Sequence, residues 1–125
     1  MKIEVSNGEL LDKVTILQLK IANIKDSEKS INVKQEFETL QPYADSLLQS
    51  SEVVDLFNNL YSINQLLWDV EDGLREKEKS HTFDQGFVEL ARSVYFLNDK
   101  RAGIKKQINI LTNSNLIEEK SYEQY

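Results

Sequence analysis

Apolar residues recur along most of the chain at the alternating steps of three and four that mark one face of a helix. Leu10, Val14, Leu17, Ile21 and Ile24 form the first such face and predict a helix from about Asn7 to about Lys25. Ser6 and Glu9 open it as a capping box, the serine closing the helix start and the glutamate reaching back. Asp26 to Ser30 is a polar break. From about Ser30 to Ser50 the period continues through Val33, Phe37, Leu40, Ala44, Leu47 and Leu48, but Pro42 falls inside it. Proline costs about 3 kcal/mol in a helix interior, so this segment is either one kinked helix or two short ones meeting near Gln41.

The third face is the cleanest. Leu56, Leu60, Ile63, Leu67, Val70 and Leu74 predict a long helix from about Ser51 to Lys79, with Ser50, Ser51 and Glu52 at its start. Ser80-His81-Thr82 is a short connection, and Thr82 is placed to cap a fourth helix. Phe87, Leu90, Ala91, Val94, Leu97, Ile104, Ile108 and Leu111 carry that helix to about Thr112, where Asn113-Ser114-Asn115 ends it. The expectation is an all-α fold: an antiparallel bundle of about four helices in one domain, with helices three and four as a long central hairpin. Residues 1–6 are an extended arm, and residues 114–125 a charged, loosely docked tail.

The chain has 125 residues, 40% of them hydrophobic, enough for one core but not for two. A formal charge of −6 argues against nucleic acid as a partner, which would need a basic face. With no cysteine and one histidine, thiolate sites, disulfides and any site needing two imidazoles are excluded. No stretch reaches the ~20 apolar residues that span a bilayer, and the start lacks the apolar core of a secretory signal. A cytoplasmic protein without a membrane role is expected. The charge is uneven: residues 51–82 hold seven acidic and three basic side chains, residues 83–113 three acidic and five basic. Helices three and four should therefore attract each other, though surface pairs contribute little.

Several polar residues fall on the apolar frames. Asn64 and Glu71 do so on helix three, Asn98 and Arg101 on helix four, Lys13 on helix one. The hairpin register sets Trp68 opposite Val94 and Tyr95, Glu71 opposite Ala91 and Arg92, and Tyr61 opposite Arg101. One reading is a structural network, with Glu71 paired to Arg92 or a lysine of helix one and Arg101 bonded to Tyr61 or Asn64. The other is a pocket for a small anionic ligand, a carboxylate or phosphate, between helices one, three and four. In it Lys13, Arg92 and Arg101 hold the anion, Glu71 orients them, and Trp68 and Tyr95 form an apolar wall.

Asp69, Asp72 and Glu76 could share a helix face, but helix four offers no matching acidic pair, and Arg75 lies within a turn to neutralise them. A solvated face accounts for them better than a metal site. No Glu-x-x-His, phosphate loop, zinc motif or nucleophile elbow occurs, and no cofactor is implied. His81 sits in a turn with nothing at fixed spacing to orient it. Lys100, Arg101, Lys105 and Lys106 cluster where the helix dipole favours cations.

Gly8-Glu9-Leu10-Leu11-Asp12-Lys13, Leu67-Trp68-Asp69, Glu89 to Tyr95, Asn98 to Ala102 and Glu118 to Tyr122 together resemble a family of small uncharacterised proteins from bacteria and their phages, a domain of unknown function. The resemblance runs over nearly the whole chain and implies a stand-alone cytosolic protein, with no activity or site residues attached. In helix one and the basic residues of helix four the chain is also similar, in style and composition, to helical chorismate mutases. These grip a dicarboxylate with arginines and a lysine; the arginine expected early in helix one is missing here, and Lys13 stands in its place. The function expected is a non-enzymatic interaction or regulatory module, with a small-molecule enzyme or sensor as the alternative. Leu66, Phe57, Phe96 and Ile110 lie outside the main frames, so a homodimer is expected, and another protein could use the same surface.

Overall fold

The computed structural model describes residues 1–125. Four helices follow one another: α1 Asn7–Asn23, α2 Ser27–Leu47, α3 Ser51–Lys79 and α4 Gln85–Leu111. The chain is all-α, with no strand. Helix α1 packs along each of the other three, while α3 and α4 form the long hairpin. The hairpin register is the expected one, since Gly73 lies 3.1 Å from Leu90 when a Cβ is placed on it. No helix is long and apolar enough to cross a membrane.

Each helix opens on a side chain that accepts an otherwise orphaned backbone N–H. Ser6 accepts from Glu9, Asp26 from Lys29, Ser50 from Val53 and Asp84 from Phe87. Two of these differ from expectation. Asp26 starts α2 at Ser27, so the polar break is that helix's first turn. Asp84, not Thr82, caps α4, because an aspartate directly before the helix is the better placed acceptor. The α1 capping box is only half made: the Glu9 carboxylate turns away to Lys105 instead of reaching back.

Segment 27–47 is one continuous helix through Pro42. Pro42 is exposed, so the carbonyl it deprives of a partner faces water, which satisfies it. The ends of α3 and α4 share a device. His81 and Asn113 have φ of 54° and 53°, the left-handed conformation that stops a helix. After each, the next backbone N–H returns five residues, Thr82 to Lys77 and Ser114 to Asn109. His81 is therefore a helix stop.

The core draws on all four helices: Leu11 and Val14, Ala44, Val53 and Leu60, and Ile108. Each large side chain buried there contributes about 1.5–3 kcal/mol. These residues gather where α1 begins, α2 ends, α3 begins and α4 ends. Helix α1, with 17 residues, is far shorter than α3 and α4 with 29 and 27. It cannot cover the whole hairpin, and no residue from Trp68 to Ile104 is fully buried.

Candidate functional site

The start of α1 is plugged into the end of α4. Asn7 N–H donates to Ser114 Oγ at 3.0 Å, Gly8 N–H to Asn109 Oδ1 at 2.6 Å, and Asn7 Nδ2 to Thr112 Oγ1 at 2.9 Å. The approach needs glycine. A Cβ on Gly8 would stand 2.5 Å from the Lys105 carbonyl oxygen.

One turn further along α1 lies a buried polar network. The Asp12 carboxylate accepts from Asn64 Nδ2 at 2.8 Å, and Arg101 lies 3.3 Å from its other oxygen. Asn64 Nδ2 also donates to Thr15 Oγ1 at 2.8 Å, and Thr15 donates to the Asp12 carbonyl. Lys105 reaches Glu9 at 2.6 Å, Glu118 of the tail at 3.2 Å and Asp12 at 4.0 Å. Asp12, Thr15, Asn64 and Lys105 are all buried. Burial by itself would lower the Lys105 pKa, but the Glu9 hydrogen bond and the charges of Asp12 and Glu9 prevail and raise it. The hydrogen bond from Lys105 lowers the pKa of Glu9 against a smaller opposing effect of burial.

The residues expected to form a pocket separate into three places. Trp68, Glu71 and Arg101 line one open groove of about 430 Å³ between α1, α3 and α4, with Asn64, Asn98 and Ile16. Lys13 is elsewhere, bonded to Glu36 of α2 at 2.9 Å. Arg92 and Tyr95 are exposed, and the Tyr95 ring packs at a tilt against Phe96 and against Tyr125 of the tail. Glu71 pairs along its own helix with Arg75 at 3.5 Å, both well exposed, and not with Arg92. Arg101 is in an ion pair, but with Asp12 and not with Tyr61 or Asn64. The basic cluster divides: Arg101 and Lys105 turn inward to carboxylates, Lys106 meets Glu119 of the tail, and Lys100 is exposed. Asp69, Asp72 and Glu76 are exposed, and no three such side chains gather as a metal would need.

The sequence reading missed Asp12, Thr15 and Asn109, and took Lys105 only as one of a basic cluster on helix four. A signal existed. Leu11, Thr15 and Leu19 form a second frame on α1 beside Leu10, Val14 and Leu17, and a helix apolar on two sides is surrounded. On such a helix Asp12 has no route to water and must find partners inside.

A family model matches residues 1–125, the whole of the chain. The chain belongs to DUF6165, a family of unknown function. Comparison with curated proteins and with solved structures finds no match. Gly8 to Lys13 and Asn98 to Ala102 meet at the Asp12–Arg101 pair.

Proposed function

We propose that this DUF6165 protein is a non-enzymatic interaction module that acts in the cytoplasm and pairs with a second copy of itself through the far half of the α3–α4 hairpin. One observation carries the reading: nothing from Trp68 to Ile104 is fully buried, although this stretch keeps the apolar helical period. Phe83, Val88, Tyr95 and Phe96 are exposed in it. The accessible surface of 8790 Å² also exceeds the roughly 6,900 Å² of a compact monomer of this mass. Surface of this kind marks an interface.

A second copy suits it because the surface carries both signs of charge. Its α3 half includes Asp69, Glu71, Asp72 and Glu76, and its α4 half Arg92 and Lys100. A twofold partner can answer each sign with its opposite. The inner charges argue against chemistry there, since Asp12, Arg101, Glu9 and Lys105 already neutralise one another. Amide hydrogen exchange at low and high protein concentration tests the reading. Protection that rises with concentration within residues 68–104 is expected; unchanged protection there would overturn it.

The alternative, a small-molecule enzyme or sensor, is favoured only by the shared groove of Trp68, Glu71 and Arg101. Quenching of Trp68 fluorescence by a carboxylate or phosphate, lost in Arg101→Met, would move it to first place.

A further inference from the structure

The groove between α1, α3 and α4 is lined at its inner end by Asn64, a side chain only 5% exposed. The orientation of that amide is locked. Nδ2 donates to the Asp12 carboxylate and to the Thr15 hydroxyl oxygen, each at 2.8 Å, and a flipped amide would set oxygen against oxygen. Asn64 Oδ1 itself accepts no hydrogen bond, although a carbonyl oxygen has two lone pairs to fill. It is not sealed in, because the one polar side-chain atom both wholly buried and unpartnered is Asn109 Nδ2. The Asn64 oxygen therefore opens on the groove that Asn64 lines.

One helical turn along α3, about 6 Å on, stands Trp68, the single tryptophan of the chain. Three and four residues further, on the same side of the helix, Glu71 and Asp72 form the mouth. Arg101, the one cation of the groove, is already answered by Asp12, and Glu71 shares its charge with Arg75 at 3.5 Å. Asp72 is in no ion pair. The groove thus has an unmet acceptor within, an unmet carboxylate at its mouth, and between them a tryptophan, whose ring face attracts cations. The Asp12 carboxylate behind Asn64 balances Arg101, so a cation entering there meets no net positive charge. We propose that this groove binds a small aliphatic diamine, one ammonium donating to Asn64 Oδ1 and the other held between the Trp68 ring and Asp72. Leu67 and Val94 supply apolar wall for the methylenes between. Such a ligand is opposite in charge to a carboxylate or phosphate, and its binding does not depend on the pairing of two copies.

The test titrates the five-carbon diamine cadaverine into the protein at one fixed concentration. Pentylamine, of the same chain length, and sodium chloride at matched ionic strength are the references. Trp68 fluorescence reports one end of the groove and the Asn64 side-chain amide, by ¹H–¹⁵N NMR, the other. Both signals should saturate together with cadaverine, and pentylamine, which lacks the second donor, should bind about tenfold more weakly. Asp72→Asn, a change at an exposed residue, should weaken cadaverine binding about fivefold. The proposal is overturned if neither signal moves beyond sodium chloride, or if Trp68 responds without Asn64, which would be an amine on the acidic rim only. Equal binding of pentylamine, or of cadaverine by Asp72→Asn, would overturn it as well.

Discussion

Asp12 of α1 and Arg101 of α4 stand 3.3 Å apart across the helix interface, the carboxylate 2% exposed and the guanidinium 29%. The difference in burial sets what each removal does. Asp12→Ala takes from Arg101 its one ion partner and from Asn64 one of its two acceptors, leaving a part-buried guanidinium unpaired, at a cost of about 3 kcal/mol or more. Arg101→Met should cost less, about 1–2 kcal/mol, because its head is part solvated and Lys105 and Asn64 still answer Asp12. Urea unfolding of both single variants and the double should show a favourable coupling between them.

Gly8→Ala should destabilise by about 1–3 kcal/mol. The added methyl would meet the Lys105 backbone, which cannot swing aside as a side chain can. Thermal unfolding measures it, and an unchanged midpoint would mean that α1 and α4 separate there.

Where the sequence was legible, it was so through period. The α3 and α4 frames, their register and the Ser6 and Ser50 caps depend on spacing alone, and they stand as expected except at Leu111, which ends the α4 frame exposed. Pro42 and Asp84 were read less well, because solvent on one face of α2 and the geometry of one turn decide them. The polar site was read least well. Asn64 and Arg101 could be picked out as polar residues on apolar frames, but Asp12 and Lys105 look like surface charges until α1 is known to be surrounded.

His81→Gly should stabilise the protein by about 0.5–1 kcal/mol, and Asn113→Gly should do so by less. At a left-handed residue glycine relieves the clash that a Cβ makes, and asparagine tolerates the conformation better than histidine does. Chemical denaturation of the two variants is the check, and a loss of stability in His81→Gly would assign the imidazole some contact beyond its role as a stop.

The Glu9–Lys105 pair predicts stability limbs at both pH extremes. Glu9 has a folded pKa below its ordinary 4.5, so the stability it contributes is whole above that value and is lost as the pH falls through the folded one. Lys105 has a folded pKa above its ordinary 10.5, so its contribution is whole below that value and is lost as the pH rises through the folded one. In urea titrations across pH, Glu9→Gln should flatten the acid limb and Lys105→Met the alkaline limb. Neither should alter the pH dependence in the neutral range.

The most direct test of the interaction reading is the mass of the particle by sedimentation equilibrium at high micromolar concentration. The far half of the hairpin, left without a fully buried residue, predicts twice the 14.5 kDa of the chain. Replacing Phe83 and Phe96 together by glutamate should return the mass to 14.5 kDa with the helical circular dichroism unchanged. A wild-type particle of 14.5 kDa at every concentration would contradict pairing through this surface.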